Sequence, residues 1–321
     1  MPIQDLNHIH KNIQIWYKKE GRLSLPWRNT SDPYAIYISE VMLQQTQVKT
    51  VLERYYFPFL AKFPTLKILA ESPLDDVLKM WEGLGYYNRA KNLHKTATLI
   101  ETLPSSIDAL IALPGIGKNT AHALATFAFG QAVPIMEANV KRIICRIYTL
   151  TSPNDTLLWQ KASMLLDTHS PFEYNQAMMD IGATLCKPKN PLCDLCPLVS
   201  ICQGKEDPTR YPTKKKRIVP QREYHMMLYA YDDSLALSQR TGKFLHGLWG
   251  FESVEVPLCA SSYIGEVSHA YTHFKLRCKV YVYEESVPSQ ERYFSLAQIK
   301  EIAISKVDEK IVKLFLGTIS L

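Results

Sequence analysis

A mostly helical amino-terminal domain followed by a smaller α+β module is the fold class predicted by the 321-residue sequence, and three observations predict it. Apolar residues recur at helical spacing, between prolines, over the first two hundred positions. Residues 203–222 hold three prolines and the run Lys214-Lys215-Lys216-Arg217, which reads as a linker. Beyond it the apolar period changes from 3.6 to two.

The elements follow in order. Leu6, Ile9, Ile13 and Trp16 mark one face of a first helix. The stretch S-P-L-D-D at 72–76 reads as a helix start, with Ser72 as cap, Pro73 at the first position, and Asp75 and Asp76 at the positive end. Residues 86–101 and 175–185 read as further helices, and prolines at 104, 114, 134, 153 and 171 punctuate the series. The domains are expected at 1–204 and 223–321. The basic linker at 205–222 either touches phosphate or is simply solvated. In the second domain 224–231 is a strand. Residues 274–283 alternate, with Phe274, Leu276, Cys278, Val280 and Val282 on one face and Lys275, Arg277 and Lys279 on the other. A helix at 307–316 closes the chain.

A hydrophobic fraction of 46% supports a sizeable core, and a net charge of +6 favours a polyanionic partner without establishing one. No segment is apolar for long enough to span a bilayer: the longest, 121–136, is broken by His122, Gly130, Gln131 and Pro134. With no signal-peptide pattern at the start, a cytoplasmic protein is expected.

Four of the seven cysteines form the cluster Cys186-x6-Cys193-x2-Cys196-x5-Cys202. A disulfide framework would spread them through a small secreted chain, so the cluster reads as a metal site. Zinc sites favour two short C-x-x-C knuckles, whereas this uneven spacing suits a loop around an iron–sulfur cubane with one cysteine per iron. A zinc knuckle is the alternative. Lys187 and Lys189 give the loop a basic surface.

L-P-G-I-G-K-N-T-A at 113–121 reads as the turn of a helix–hairpin–helix near 106–128. Gly115 and Gly117 allow a tight turn with exposed amides, and Lys118 adds charge at a helix start suited to a phosphate. A nucleotide P-loop would need glycine at 112 and Ser or Thr at 119, where this chain has Ala112 and Asn119. An ordinary helix–turn–helix corner is the other alternative.

Two acids stand out. Glu40, in S-E-V-M-L-Q-Q-T at 39–46, is one carboxylate in an apolar helix, a setting that raises a pKa until the group donates a proton near neutrality. Glu137 follows Pro134 at a helix entry, where Asn139 and backbone amides are expected to orient it. Each alone reads as a solvated or dipole-favoured side chain. Together, two carboxylates facing one sugar are the equipment for cleaving a glycosidic bond.

S-E-V-M-L-Q-Q-T, G-L-G-Y-Y at 83–87, L-P-G-I-G and the cysteine loop, in this order, closely resemble the MutY-type adenine DNA glycosylases of the endonuclease III superfamily. The match runs from about Leu25 to Cys202, and 81–90 and N-Q-A-M-M-D at 175–180 strengthen it. The resemblance implies removal of adenine from double-stranded DNA where it is mispaired with 8-oxoguanine or guanine. It also implies a [4Fe-4S] cluster on Cys186, Cys193, Cys196 and Cys202, and a monomer with no membrane association. Glu40 matches the acid that protonates adenine. Gln45, Leu84 and Tyr86 match residues that wedge into the duplex or support the estranged guanine. Thr46 completes the adenine-specific block, and Arg28 matches a position near the adenine pocket. Asn119 stands where bifunctional relatives carry a Schiff-base lysine, implying a monofunctional enzyme and arguing against a lyase acting on oxidised pyrimidines. Glu137 departs from the superfamily's aspartate by one methylene, and Ala138 replaces the commoner glycine. The site either accommodates the glutamate, works slowly, or binds lesions without efficient cleavage. The second domain resembles the family's Nudix-like module and lacks the R-E-x2-E-E motif. Tyr271, Thr272 and His273 occupy its Phe-Ser-His segment, which senses 8-oxoguanine in the family; a plain strand edge is the alternative.

Overall fold

The computed structural model describes residues 3–213, 218–242, 244–283 and 292–319; the basic run at 214–217 lies outside them. The chain forms two compact units, one of residues 1–66 and 95–215 and the other of 67–94 and 216–321.

The first unit is helical. Helix α1 (Ile3–Glu20) buries Ile9, Ile13 and Tyr17 against Val140, Ile143, Ile144 and Ile147 of α10 (Ala138–Ile147), Leu158 and Leu165 of α11 (Asp155–Leu165), and Ala177, Met178 and Ile181 of α12 (Pro171–Thr184). The expected period of α1 is therefore its core face, and each such aliphatic side chain contributes roughly 1.5–3 kcal/mol by burial. Pro171 starts α12, whose Gly182 lets it press on α10: a Cβ there would stand 2.6 Å from Asn139 Cβ. Helix α2 (Pro33–Leu43) starts at Asp32, whose side chain accepts from Tyr34 N at 2.9 Å. It is apolar around most of its circumference, so it is buried on nearly every side. Helices α3 (Val48–Arg54), α4 (Tyr56–Lys62), α8 (Ile107–Ile111) and α9 (Lys118–Phe127) complete the unit.

The second unit is α+β, as expected. Before its sheet come α5 (Leu66–Glu71), α6 (Leu74–Met80) and α7 (Asn88–Leu99), of which α5 begins and α7 ends in the first unit. The expected cap of α6 is corrected: Pro73 is its N-cap residue, and Ser72 Oγ donates to Ile68 O at 2.7 Å. Because α5 ends only one residue before, the Ile68 carbonyl, which also accepts Ser72 N at 3.1 Å, is the nearer partner for that hydroxyl.

β1 (Gln221–Tyr231) runs parallel to β6 (Lys275–Tyr283) and antiparallel to β2 (Ser234–Gln239) and β4 (Glu252–Val254). β5 (Ser262–Ala270) lies antiparallel to β6, and β3 (Trp249–Gly250) and β7 (Arg292–Ser295) pair with β2. The alternation seen in the sequence is observed in β6, where Leu276, Cys278, Val280 and Val282 are buried. Helices α13 (Leu296–Glu301) and α14 (Lys306–Ile319) cover one face. Asp308 of α14 is fully buried and holds the Arg240 guanidinium through two bonds of 2.9 Å.

Candidate active site

Glu40 is the only charged residue of α2, one turn before that helix ends. The residue is half-buried, with its carboxyl enclosed by protein. Burial pushes its pKa up to about 8; the nearby Glu137 charge adds to the rise, and Arg28 opposes it.

Arg28 ends a short 3-10 turn, Pro26–Arg28. Its guanidinium grips Asp180 of α12 with two bonds, of 2.7 and 2.8 Å, and also donates to Arg22 O at 3.3 Å. Asp180 receives Arg22 as well, from the backbone N at 2.8 Å and from Nε at 2.6 Å. Burial alone would raise the Asp180 pKa, but the bonds and charges of Arg28 and Arg22 outweigh it and hold the carboxyl below its ordinary value. Arg28 Nε is buried without a partner, a donor still free in the wall of the site. Asp180→Asn would leave two partly or fully buried guanidiniums facing a neutral amide, and is expected to destabilise the protein by about 3–5 kcal/mol. A denaturant titration against wild type reads this directly.

Glu137 is the N-cap residue of α10 but makes no side-chain capping bond, so its carboxylate is not consumed by the helix. Burial raises its pKa, with Arg22 opposing. Asn139 Oδ1 accepts from Arg142 Nη2 at 2.9 Å, Arg142 lying one turn further on the same helix face. Asn119 Oδ1 accepts the backbone N–H of Met136, immediately before Glu137, at 2.7 Å.

The hairpin lies between α8 and α9. Gly115 has φ +74°, which requires glycine, whereas Gly117 at φ −83° does not; a Cβ at 117 would meet nothing within 4 Å, so this face of the turn is open. Ile116 is buried, and Lys118 is exposed with Nζ 4.3 Å from the Trp159 ring centroid. Gln44 Nε2 donates to Thr120 Oγ1 at 3.1 Å, tying the end of α2 to α9. The next residue, Gln45, is exposed in the left-handed region at φ 57°, and Thr46 N closes the turn on Leu43 O.

In the second unit Gly83, Gly85 and Tyr86 all have positive φ. This kinked turn leaves Tyr86 exposed, while Leu84 is buried. Tyr86 OH donates to Thr272 Oγ1 at 3.1 Å, so a residue matched to the duplex wedge and one matched to the 8-oxoguanine sensor are joined within one unit. Thr272 and His273 are exposed. Tyr271 packs among His269, Phe244 and Phe274 at centroid distances of 4.5–5.0 Å, and burial raises its pKa.

The four clustered cysteines line one small cavity of about 20 Å³, beside Arg146 and Leu192. Arg146 is buried and donates from Nη1 to Cys186 Sγ at 3.2 Å and to Lys187 O at 2.8 Å. Among the described residues no three His, Cys, Asp or Glu side chains converge on a single ion. Four thiols lining one cavity, with the Arg146 cation beside them, are a donor set that fits an iron–sulfur centre. No described helix is long and apolar enough to cross a membrane.

Asp180 and Arg22 were not singled out from the sequence. The signal was present: an aspartate within the apolar run Met178-Met179-Asp180-Ile181 is the same anomaly that marks Glu40.

Residues 38–166 match the HhH-GPD superfamily of base excision DNA repair proteins. An adenine DNA glycosylase of Buchnera aphidicola subsp. Baizongia pistaciae is 38% identical, over 75% of this chain and 71% of that one. The human adenine DNA glycosylase is 31% identical, over 98% of this chain and 75% of its own. Among solved structures, a thermostable thymine-DNA glycosylase superposes with a TM-score of 0.58 at 28% identity, covering 63% of this chain and 97% of that one.

Proposed function

The chain belongs to the adenine DNA glycosylase family of helix–hairpin–helix base excision repair proteins, and from that premise we propose that it hydrolyses the N-glycosidic bond of adenine opposite 8-oxoguanine or guanine in duplex DNA, without cutting the strand. It is an adenine DNA glycosylase, a hydrolase of N-glycosyl bonds. The mispair, the residue roles and the cluster are the proposed part.

The observation that carries the reading is the unequal placement of the two carboxylates. Glu40 is in the last turn of α2, where the helix dipole disfavours negative charge, and Glu137 is at the N-cap of α10, where it favours it. Two interacting acids share their protons as a pair. Near neutrality the proton therefore resides on Glu40 and the charge on Glu137.

The target adenine is flipped out of the stack, at a cost of roughly a few kcal/mol. In this reading the exposed side chains Gln45 and Tyr86 each contact the opened duplex, and Gly115, Gly117 and Lys118 offer amides and charge to a backbone phosphate. Glu40 gives its proton to the adenine ring, and the bond from C1′ to the base breaks with its electron pair leaving on the now neutral adenine. The Glu137 carboxylate stabilises the positive sugar. Water adds its oxygen to C1′ and returns a proton to Glu40. Arg28 Nε is the free donor for the bound base. Asn119 has no amine, so no Schiff base forms and borohydride should trap no covalent adduct.

The test is single-turnover release of adenine from an adenine:8-oxoguanine duplex. Release without strand scission is expected; protein that binds the duplex but releases no adenine overturns the reading.

Cys186, Cys193, Cys196 and Cys202 are the residues that would hold a [4Fe-4S] cluster, which when bound supplies a structural clamp on the loop. Cys196→Ser is expected to remove iron and visible absorption from the purified protein and to lower its melting temperature. Iron analysis and a thermal melt check this.

A further inference from the structure

Residues 133–136 lead directly into Glu137 and raise a physical problem. They are extended and largely buried: Pro134 and Ile135 are closed to solvent, and no strand of the first unit pairs with them among the described residues. A buried backbone polar group left without a partner costs about 1–3 kcal/mol. The segment follows a turn at Gly130 (φ +67°), where Gly130 N donates to Thr126 O and Gln131 N to Ala125 O, and then runs back along α9.

Side chains take the place of a neighbouring strand. Thr126 Oγ1 donates to Val133 O at 3.1 Å, His122 Nδ1 lies 2.8 Å from Pro134 O, and Asn119 Oδ1 accepts from Met136 N at 2.7 Å. From the other side Asn175 of α12 donates to Val133 O at 3.0 Å and accepts from Ile135 N at 3.0 Å. Pro134 has no N–H to satisfy. Because a carbonyl only accepts, His122 must carry a proton on Nδ1. Its ring packs at a tilt 4.7 Å from Trp159, and burial lowers its pKa, so it is held as the neutral Nδ1–H tautomer.

The three rungs from α9 stand at i, i+3 and i+7, one face of a helix. Seven helical residues rise about 10.5 Å, and the three extended steps from 133 to 136 span about 10 Å. The helix and the segment are therefore commensurate, and a single helix face reaches the whole approach to Glu137.

We propose that Asn119, His122 and Thr126 are a row of positioning residues that, with Asn175 opposite, clamps residues 133–136 and so fixes where the Glu137 carboxylate meets the sugar. Asn119 then has a structural task beyond the absence of a lysine. This rests on the proposed role of Glu137, and the test separates the two.

Asn119→Leu removes one acceptor, His122→Phe keeps the ring but removes a donor, and Thr126→Val removes one hydroxyl at nearly constant shape. Each is measured in the full-length protein for amide hydrogen exchange at Ile135 and Met136, for single-turnover adenine release, and for the dissociation constant of the adenine:8-oxoguanine duplex. Ile135 and Met136 amides are expected to exchange slowly in wild type, and Asn119→Leu to accelerate Met136 by about tenfold or more. Release is expected to slow by roughly ten- to a hundredfold, with duplex affinity changed less than about twofold. Asn119→Leu combined with His122→Phe should cost little more than the worse single change, because both loosen one segment. Exchange at Met136 unchanged by Asn119→Leu overturns the clamp whatever the enzyme's activity. A loss of rate matched by an equal loss of duplex affinity overturns it too. Should Asn119→Leu fail to fold, Thr126→Val and His122→Phe carry the same comparison through exchange at Ile135 and the rate. Faster exchange without adenine release in wild type would support the clamp and sink the proposed reaction.

Discussion

Glu40→Gln is expected to lower the rate of adenine release by about 10²–10⁴-fold, the range supplied by a positioned general acid, while duplex affinity stays close to wild type. Glutamine preserves the volume and much of the hydrogen bonding of the side chain but has no proton to give. The same substitution is expected to stabilise the protein. The folded-state pKa of Glu40 is raised to about 8, against about 4.3 when unfolded. The folded state therefore holds more protons than the unfolded state between those values, and stability falls as pH rises through that window. Glutamine escapes this penalty. The melting temperature of Glu40→Gln should exceed that of wild type at pH 8, and the two should converge toward pH 4. The wild-type rate should decline above about pH 8 as the acid form disappears. A variant that kept its rate, or was less stable than wild type at pH 8, would remove Glu40 from the acid's role.

That a carboxyl among apolar residues is a burden on the fold explains why Glu40 stands out in the sequence. Physical chemistry puts a carboxylate in the run I-Y-I-S-E-V-M-L at a loss, so its presence asks for a reason. The same logic applies to the cysteine loop and to Gly115, whose φ of +74° the turn requires, since each is a local pattern that shows in a few consecutive residues. The helical first unit and α+β second unit were readable from periodicity, down to the alternation of β6.

What was not legible depends on residues far apart in sequence. The Asp180 cluster joins α12 to residues more than 150 positions earlier. The partner of Asn139 is settled by Arg142, a choice that local spacing permits but does not require. Ser72 reads as a cap until the preceding helix is known to end one residue before it. The row at 119, 122 and 126 has the look of an ordinary helix face. Only the path of 133–136 back along that face turns three unremarkable polar residues into a ladder.

Glu137→Asp is the sharper test of this site, because it restores the residue that the wider superfamily uses and is nevertheless expected to slow this enzyme. The change withdraws the carboxylate by one methylene, about 1.5 Å, while the bonds from Asn119, His122, Thr126 and Asn175 to residues 133–136 oppose a compensating shift of the backbone. A misplacement of about 1 Å at a reacting centre costs on the order of a hundredfold, so adenine release should fall by about that factor with little change in duplex affinity. Glu137→Gln, which keeps the reach and removes the charge, should fall at least as far, because the oxocarbenium-like sugar then faces a neutral amide. Removing the Glu137 charge also removes one of the causes that raise the Glu40 pKa. In Glu137→Gln the alkaline limb of the pH–rate profile should therefore shift to lower pH, whereas in Glu137→Asp the charge remains and the limb should stay nearer its wild-type position. Rates above wild type in Glu137→Asp would instead show that glutamate is an imperfect occupant of a site shaped for aspartate, and would favour a protein that binds mispairs more effectively than it cleaves them.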